Sequence, residues 1–444
     1  MRLERCTFPV TQLKQGSKTN WEDGVLEFDV DELTNLVLED PNVLSVNFDA
    51  TSPGDSARII NWRDFVEPMI KVEGPGTVYP GVMGRPVQNV GSGKTYRLGG
   101  MSVVQCADPI NLTTEELTWP PVRRSSSFFD MSGPGGQTPY SKLHNLCLTI
   151  VGQDGLNAED WHTAMTRATL KVSDRLAQVL VNLDPPETEI FDMEPAEGLP
   201  NVVSIFNLAS DEWFCGAQSV LGTSIYGQTR LSAPWALSPT ELFDGGVYHS
   251  GHLGTTWMMT NNPVALKIAR EHGKTCNYVG ALIGRTNWTR QSEKDMAADR
   301  LAQLAVSLGA KGAILTTDIR GQRFVETILG VTACEKAGIP TVLLTEEEDN
   351  EGGTAPPLLM SSPEVTSVVS ASTGGQEELF PAVDRVIGAI NSENLYEPVH
   401  LTANAASENA VEDPARELPG IHGAYGAEYF TDNYGYGLQG AVDY

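Results

Sequence analysis

The last third of the chain alternates short apolar runs with longer segments of helical periodicity, and this alternation restricts its fold more than any other feature. The apolar runs are NYVGALI, GAILTT, PTVLLT and VTSVVSA. Strands separated by helices form βαβ units, which build parallel sheets covered by helices on both faces. The pattern therefore predicts a mainly parallel α/β sheet, and we expect one more helix over ELFPAVDRVIGAI.

The first part of the chain has a different pattern. VLEFDV (25–30) and VLSVNFD (43–49) alternate or run apolar, and a Pro- and Gly-rich stretch follows, which predicts a β-rich region. A short helix is expected over DELTNLVLED, with Asp31 as its N-cap. We expect an α/β protein in four parts: a β-rich N-terminal domain (1–125), an α/β domain (126–270), a second, flavodoxin-like α/β domain (271–395) and an irregular acidic tail (396–444).

Composition and charge disfavour several classes of protein. The net charge is −27, which disfavours nucleic-acid binding, because phosphate contacts need clustered Lys and Arg. No apolar run reaches the roughly 20 residues that span a bilayer, and MRLERCTFPV lacks the apolar core of a signal peptide. The six cysteines are scattered without a CxxC pair, as expected for a cytoplasmic protein.

Polar residues follow the predicted strands at their carboxyl ends, where open parallel sheets bind their ligands. We predict that they contact the substrate, although polar residues at strand ends are also typical of ordinary loops. They are Thr286 and Asn287 after NYVGALI, Asp318 and Arg320 after GAILTT, and Thr373 after VTSVVSA.

A glycine-rich turn with two histidines, GGVYHSGHLGTT, contains the main catalytic candidates. The pattern predicts a short strand with His249, Ser250 and His252 at its exit. Histidine acts as an acid and a base near neutral pH, and it also binds metals. Zinc at this turn would need a third ligand from elsewhere in the chain. The alternative is a pair of loop histidines that only form hydrogen bonds.

Cys276 is the second catalytic candidate. A cysteine after threonine can attack the preceding carbonyl, split the backbone and leave an N-terminal pyruvoyl group. Asn262 and Pro263 open the preceding helix and Gly273 closes it, so Thr275-Cys276 is expected in a helix-to-strand turn. That turn is at the amino end of NYVGALI, normally the structural side of a parallel sheet. A small apolar residue at the start of a strand is the alternative role for this cysteine.

Several unusual strings occur together in one order: MRLERCTFPV, VEPMIKVEGPGTVYPG, DMSGPGGQTPYSK, NNPVALKIAREHGKTCNYVGALI and VSASTGGQEELFPAVDRVIGAI. They resemble the alpha/beta proprotein of component B of glycine, sarcosine and betaine reductases, over roughly residues 1–395. The resemblance implies a substrate-binding subunit that self-cleaves into two chains. It also implies that a pyruvoyl carbonyl forms a Schiff base with the substrate amine, and that a selenocysteine-bearing partner displaces this amine from the α-carbon.

The sequence departs from this family at the cleavage site. The family cleaves before the cysteine of a Ser-Gly-Asn-Cys string, whereas the matching string here is Ser250-Gly251-His252-Leu253 and the chain contains no Asn-Cys. We therefore expect an unprocessed chain, with His249 and His252 in the place of the electrophile. Cleavage at Thr275-Cys276 remains the alternative source of a pyruvoyl group.

Three interpretations follow. The first is a component-B-like subunit of a hetero-oligomer, which binds a small amine for reductive C–N cleavage by a cysteine- or selenocysteine-bearing partner. The second is a scaffold subunit that has kept the fold and lost the chemistry. The third is a pyruvoyl enzyme that cleaves itself at Cys276.

Overall fold

The structure is a computed structural model, and it describes residues 1–107, 128–136, 138–209, 223–227, 234–249, 254–286, 290–317, 324–347, 358–373, 377–388, 415–421 and 442–443. The helices are α1 (Val30–Val37), α2 (Ala158–Gln178), α3 (Pro239–Phe243), α4 (Thr256–Thr260), α5 (Pro263–Glu271), α6 (Gln291–Ser307) and α7 (Phe324–Lys336). The strands before residue 200 are β1 (Arg2–Pro9), β2 (Gln12–Gly16), β3 (Asn20–Glu22), β4 (Val25–Asp29), β5 (Val43–Thr51), β6 (Ala57–Ile60), β7 (Trp62–Val66), β8 (Met69–Glu73), β9 (Gly93–Gly99), β10 (Met101–Ala107), β11 (Phe128–Asp130), β12 (His144–Gly152) and β13 (Glu187–Asp192).

The later strands are β14 (Asn201–Ala209), β15 (Thr223–Ile225), β16 (Trp235–Leu237), β17 (Val247–His249), β18 (Asn277–Thr286), β19 (Gly312–Thr317), β20 (Thr341–Glu347), β21 (Val368–Thr373), β22 (Glu377–Phe380), β23 (Arg385–Gly388), β24 (Leu418–Ile421) and β25 (Val442–Asp443).

The N-terminal part contains several small mixed sheets. Two have four strands, in the orders β13-β1-β9-β8 and β5-β12-β10-β7, and the three-stranded sheets are β11-β6-β23 and β2-β4-β3. The long helix α2 covers the two four-stranded sheets with one apolar face, and its buried Trp161, Val172 and Leu176 pack with strand residues such as Val103 and Leu146. The predicted β-rich N-terminal region is confirmed.

The second part contains a seven-stranded sheet in the order β16-β18-β14-β19-β20-β21-β25. The central strands β18, β14, β19, β20 and β21 are all parallel, and the edge strands β16 and β25 are antiparallel. In chain order, the parallel strands are arranged 2-1-3-4-5, which is the flavodoxin-like order of doubly wound sheets. The predicted parallel α/β sheet is therefore confirmed.

The two faces of the parallel sheet pack against different layers. On one face, Val203, Ile205 and Leu282 pack with residues of α6 and α7, such as Leu301 and Ile328. On the other face, Phe206, Leu208 and Ile283 belong to a large apolar cluster that also contains Phe65 and Tyr140. The N-terminal sheets and the parallel sheet therefore share one core.

Helix starts follow local capping chemistry. Asn262 accepts a hydrogen bond from the amide of Ala265 and Pro263 is the first residue of α5, as the sequence predicts. The predicted cap of α1 is wrong by two residues: the cap is Asp29, whose carboxylate accepts from the amides of Asp31 and Glu32. Asp31 lies inside the helix, in its first turn.

The prediction of a helix over ELFPAVDRVIGAI is wrong. Residues before Pro381 form β22, which pairs with β24, and residues after it form β23, which pairs with β6. Proline inside the segment disfavours a continuous helix, and the β-branched Val386 and Ile387 suit a strand. Pairing with distant strands therefore decides the conformation, which the periodicity of the segment alone does not reveal.

A buried arginine ties the segment around β22 to the N-terminal part. The Arg58 guanidinium pairs with both carboxylate oxygens of Asp130, at 2.7 and 3.0 Å. It also donates to the carbonyl oxygens of Pro381 and Arg416. Its planar group also lies over the rings of Phe128 and Phe380, 5.7 and 5.6 Å from their centroids, and these two rings pack edge to face at 4.8 Å.

The predicted tail (396–444) lies outside the described residues apart from 415–421 and 442–443. Among the helices that the structure describes, none combines the length and the apolar character that a membrane crossing requires.

Candidate active site at the histidine turn

His249 is the last residue of β17, which pairs with β15. It is fully buried. The hydroxyl of Thr256 accepts a hydrogen bond from the His249 amide at 3.1 Å and lies 3.2 Å from its carbonyl oxygen. One threonine side chain therefore fixes the backbone of the histidine at the strand exit.

The same threonine connects His249 to a buried carboxyl group on β7. One oxygen of Asp64 accepts from the amides of Phe65 and Thr256, at 2.8 and 2.9 Å, and the other accepts from the Thr256 hydroxyl at 2.9 Å. Burial raises the pKa of Asp64 to about 7, although these hydrogen bonds and the nearby His249 act in the opposite direction. A carboxyl group with a pKa of about 7 is suited to act as a general acid or base at neutral pH.

An aromatic layer supports this arrangement. Thr255 is the N-cap of α4 and accepts from the amide of Met258, and its hydroxyl lies 2.7 Å from the hydroxyl of Tyr140. The Tyr140 ring stacks on Phe65 with 3.7 Å between centroids and meets Trp257 edge-on at 5.9 Å. Since α4 starts at Thr256, the cap and the aromatic contacts determine where the Thr256 side chain meets Asp64.

Gly254 has no side chain, and the His249 ring occupies the space that a side chain at this position would need. A Cβ atom at Gly254 would lie 2.2 Å from Nε2 of His249. Any larger residue at this position would displace the imidazole, so the glycine-rich character of the turn is a steric requirement at this residue.

Sequence reasoning missed Asp64 and Thr256. A usable signal was present for both: Asp64 is an acidic residue inside the apolar strand WRDFV, and Thr255-Thr256 is a typical helix start. What the sequence could not show is that β7 and α4 meet, because these segments are 192 residues apart along the chain.

The other predictions for the turn concern residues outside the described ranges. Ser250 and His252 both belong to the segment 250–253. Within the described residues, no group of three or more His, Cys, Asp and Glu side chains is arranged to hold a metal ion. Because His252 lies outside those residues, a metal at the histidine turn stays a prediction.

Cys276 lies directly before β18, at the amino end of the parallel sheet, as predicted. Its carbonyl accepts from the amide of Gly273 at 2.9 Å, and the Thr275 hydroxyl donates to Glu271 at 3.2 Å. Burial raises the pKa of the Cys276 thiol. Fewer molecules therefore carry the reactive thiolate at neutral pH.

The predicted substrate contacts at the carboxyl ends divide into described and undescribed residues. Thr286 ends β18 and is buried, and Thr373 ends β21. Side chains alternate along a strand, so Thr286 lies on the face of Leu282, which packs under α6 and α7. The core around Phe65 lies on the opposite face. Asn287, Asp318 and Arg320 lie outside the described residues.

Comparison with known proteins covers most of the chain. A sequence model of the glycine/sarcosine/betaine reductase component B subunits matches residues 1–405. The sarcosine reductase complex component B subunit alpha of Peptoclostridium acidaminophilum is 29% identical over 406 residues, which cover 88% of this chain and 90% of the relative. The glycine reductase complex component B subunits alpha and beta of Acetoanaerobium sticklandii are 28% identical over 408 residues, with the same two shares.

A third relative, the betaine reductase complex component B subunit alpha of Peptoclostridium acidaminophilum, is 27% identical over 409 residues and covers 88% of this chain and 89% of its own. No solved structure matches significantly. The resemblance seen in the sequence strings is thus confirmed over nearly the full length, and the chain belongs to the family of glycine/sarcosine/betaine reductase component B subunits.

Proposed function

We propose that the chain is the substrate-binding subunit of an amino-acid-reductase-type complex, in which it holds a small amine at the histidine turn for reductive C–N cleavage. The relatives belong to complexes named for glycine, sarcosine and betaine reduction, which supports a small amine substrate and at least one partner subunit. The structural observation that carries the proposal is the buried Asp64 carboxyl group, which the Thr256 hydroxyl links to the main chain of His249.

The proposed chemistry needs a nucleophile and a proton source. A thiolate or selenolate of the partner attacks the α-carbon of the substrate, the new bond to carbon forms, and the electron pair of the C–N bond leaves with nitrogen. The departing amine leaves more easily if it holds an extra proton. We propose that Asp64, with a pKa raised to about 7 by burial, supplies this proton by way of the Thr256 hydroxyl, which lies 2.9 Å from its carboxyl oxygen. Ser250 and His252 are proposed to contact the substrate from the same turn.

A pyruvoyl group does not fit the residues of this chain. The string that matches the family cleavage site has Leu253 in place of cysteine, and no Asn-Cys bond occurs in the sequence. Cys276 lies at the amino end of β18 with a thiol pKa raised by burial. We therefore propose that the chain acts uncleaved and without a pyruvoyl group.

Two substitutions test the position of the site. We expect His252→Ala to abolish reduction of the amine substrate in the assembled complex, and Cys276→Ala to retain activity. The assay measures amine release from glycine, sarcosine and betaine with the cysteine- or selenocysteine-bearing partner present. An inactive Cys276→Ala variant beside an active His252→Ala variant would show that the chemistry takes place at the amino end of the sheet and would overturn the proposal.

The intact mass of the purified protein tests processing independently of activity. One species of 48.0 kDa under denaturing conditions supports an uncleaved subunit. Two fragments broken between Thr275 and Cys276, with the second blocked at its N-terminus, would show that Cys276 forms a pyruvoyl group. In that case our assignment of the histidine turn would be wrong.

A further inference from the structure

The parallel sheet has a second group of polar side chains that the proposed function does not use. Its strand order reverses at β14, whose neighbours β18 and β19 follow it in the chain. Doubly wound sheets bind ligands at the carboxyl end of such a switch point. Asn207 stands near the carboxyl end of β14 and pairs with Gly284 on β18 and Thr317 on β19.

The Asn207 carboxamide is enclosed by glycines. Asn207 is 1% exposed. A Cβ atom added at Gly284 would lie 1.9 Å from Oδ1 of Asn207. A Cβ atom added at Gly330 on α7 would lie 3.7 Å from its Nδ2. The glycines on β18 and α7 thus leave room for the amide between strand and helix. Within the described part of the chain, neither Oδ1 nor Nδ2 has a hydrogen-bond partner.

Three threonine hydroxyls at the same end of the sheet are also buried without a hydrogen-bond partner among the described residues. Thr286 follows Gly284 by two positions, Thr327 precedes Gly330 by nearly one helical turn, and Thr345 shares the strand face of Leu343 under α7. Their Oγ1 atoms are buried, and the structure gives them no partner among the residues that it describes.

The cost of this arrangement is large. Each buried polar atom without a partner carries the full penalty of losing its contact with water, and five such atoms occur here together. Buried polar groups in native proteins are normally satisfied by protein, water or ligand, so a clustered set without protein partners indicates a bound polar molecule.

The charge of the lining indicates what kind of molecule. Lys294 and Glu326, in the first turns of α6 and α7, form an ion pair at 3.4 Å with side chains that are 11% and 3% exposed. This pair is neutral overall, and the other lining groups that the structure describes, the Asn207 carboxamide and the three threonine hydroxyls, are uncharged. The net charge of −27 further disfavours an anionic ligand.

We propose that the switch point binds a small uncharged molecule with an amide or lactam edge, through two parallel hydrogen bonds to the Asn207 carboxamide. The amide of Asn207 offers one donor and one acceptor side by side, which match the C=O and N–H of such an edge. The threonine hydroxyls rotate to donate or accept as the remaining ligand atoms require. This site faces α6 and α7, on the opposite side of the sheet from the His249 core, and is independent of the proposed function.

Three probes of one shape and different charge test the chemistry: acetamide, acetate and acetamidinium. Thermal unfolding of the full chain is measured with each probe at tens of millimolar and constant ionic strength. We expect acetamide alone to raise the melting temperature. Acetate would place an acceptor oxygen against the acceptor Oδ1, and acetamidinium would place a donor N–H against the donor Nδ2. If either probe raised the melting temperature as much as acetamide does, the proposal would be overturned. An unchanged melting temperature with all three probes would also overturn it, since the cluster would then hold only water.

Asn207→Leu tests whether the effect arises at this site. Leucine has a similar shape without the polar atoms, so the unliganded variant should melt at a higher temperature than the wild type while its response to acetamide is lost. Thr316→Val is the matched control, because Thr316 lies on the other face of β19 and has a buried hydroxyl that is likewise without a partner among the described residues. It should keep the full acetamide response.

A second variant keeps the proposal testable if Asn207→Leu does not fold. The double change Thr286→Val and Thr327→Val removes two hydroxyls and leaves Asn207 in place. We expect at least tenfold weaker acetamide binding in a calorimetric titration. Unchanged binding in this variant, or a wild-type acetamide response that survives Asn207→Leu, would show that the probe binds elsewhere.

Discussion

Replacing Asp64 by asparagine tests the protonation state on which the proposed chemistry depends. Asparagine keeps the shape and the hydrogen bonds: its Oδ1 can accept from the amides of Phe65 and Thr256, and its Nδ2 can donate to the Thr256 hydroxyl. That hydroxyl can then donate to the carbonyl oxygen of His249, 3.2 Å away. The substitution therefore removes the titratable proton of the carboxyl group and leaves the shape and the hydrogen bonds of the side chain nearly unchanged.

The effect on stability follows from the pKa. Burial raises the pKa of Asp64 to about 7, whereas an aspartate in an unfolded chain titrates near 4. Between these values the folded state holds a proton that the unfolded state has lost, so stability falls as the pH rises through this window. Each pKa unit corresponds to about 1.4 kcal/mol. The free energy of unfolding therefore falls by roughly 4 kcal/mol between the two pKa values, and by roughly 3 kcal/mol between pH 5 and pH 8.

Urea unfolding of wild type and Asp64→Asn at pH 5 and pH 8 measures this difference. The stability of Asp64→Asn relative to wild type should increase by roughly 3 kcal/mol from pH 5 to pH 8, because only the wild type buries a charge at the higher pH. Asp192→Asn, which removes an exposed carboxyl from β13, is the control for the loss of one negative charge. A stability difference between wild type and Asp64→Asn that stays constant with pH would refute the raised pKa.

Three further predictions concern local geometry. Gly254→Ala should lower activity by on the order of 100-fold, since its Cβ would displace the His249 ring; wild-type turnover would disprove the steric argument. Asn262→Ala should cost about 1 kcal/mol of unfolding free energy through loss of the α5 cap, with Asn262→Asp as the variant that retains it. Arg58→Met should cost about 3–5 kcal/mol by leaving Asp130 buried without its cation, and adding Asp130→Leu should recover the part of this loss that comes from the unpaired carboxylate.

Sequence patterns predict this fold best where local pattern and tertiary structure agree. The strands of the parallel sheet are apolar runs between helices, and the start of α5 follows from Asn262 and Pro263. The pattern fails over residues 377–388, where strands pair with partners far away in the chain. No local signal encodes that pairing, because a segment with Pro381 at its centre can end a helix or separate two strands.

For the same reason, the sequence alone predicts only part of the candidate site. The histidine turn is a local motif, so the residue pattern alone assigns His249 to a strand exit. Its partner Asp64 comes from a strand 192 residues earlier than Thr256, and its raised pKa arises from burial that only the assembled core creates. Residues that act through a fold, such as Thr256 and Tyr140, carry little chemical signal in the sequence itself.

The contact between Arg58 and the late part of the chain has a consequence for synthesis on the ribosome. Arg58 donates to the carbonyl of Arg416, 358 residues further along, and β6 is completed by β23. At elongation rates of about 5–20 residues per second, the edge of β6 would wait on the order of 20–70 s for its partner. Arg58 and Asp130 can pair much earlier, and a charged pair beside an open strand edge disfavours its pairing with other chains in the meantime. A nascent chain stalled before residue 381 should therefore bind holdase chaperones more strongly than one released at full length.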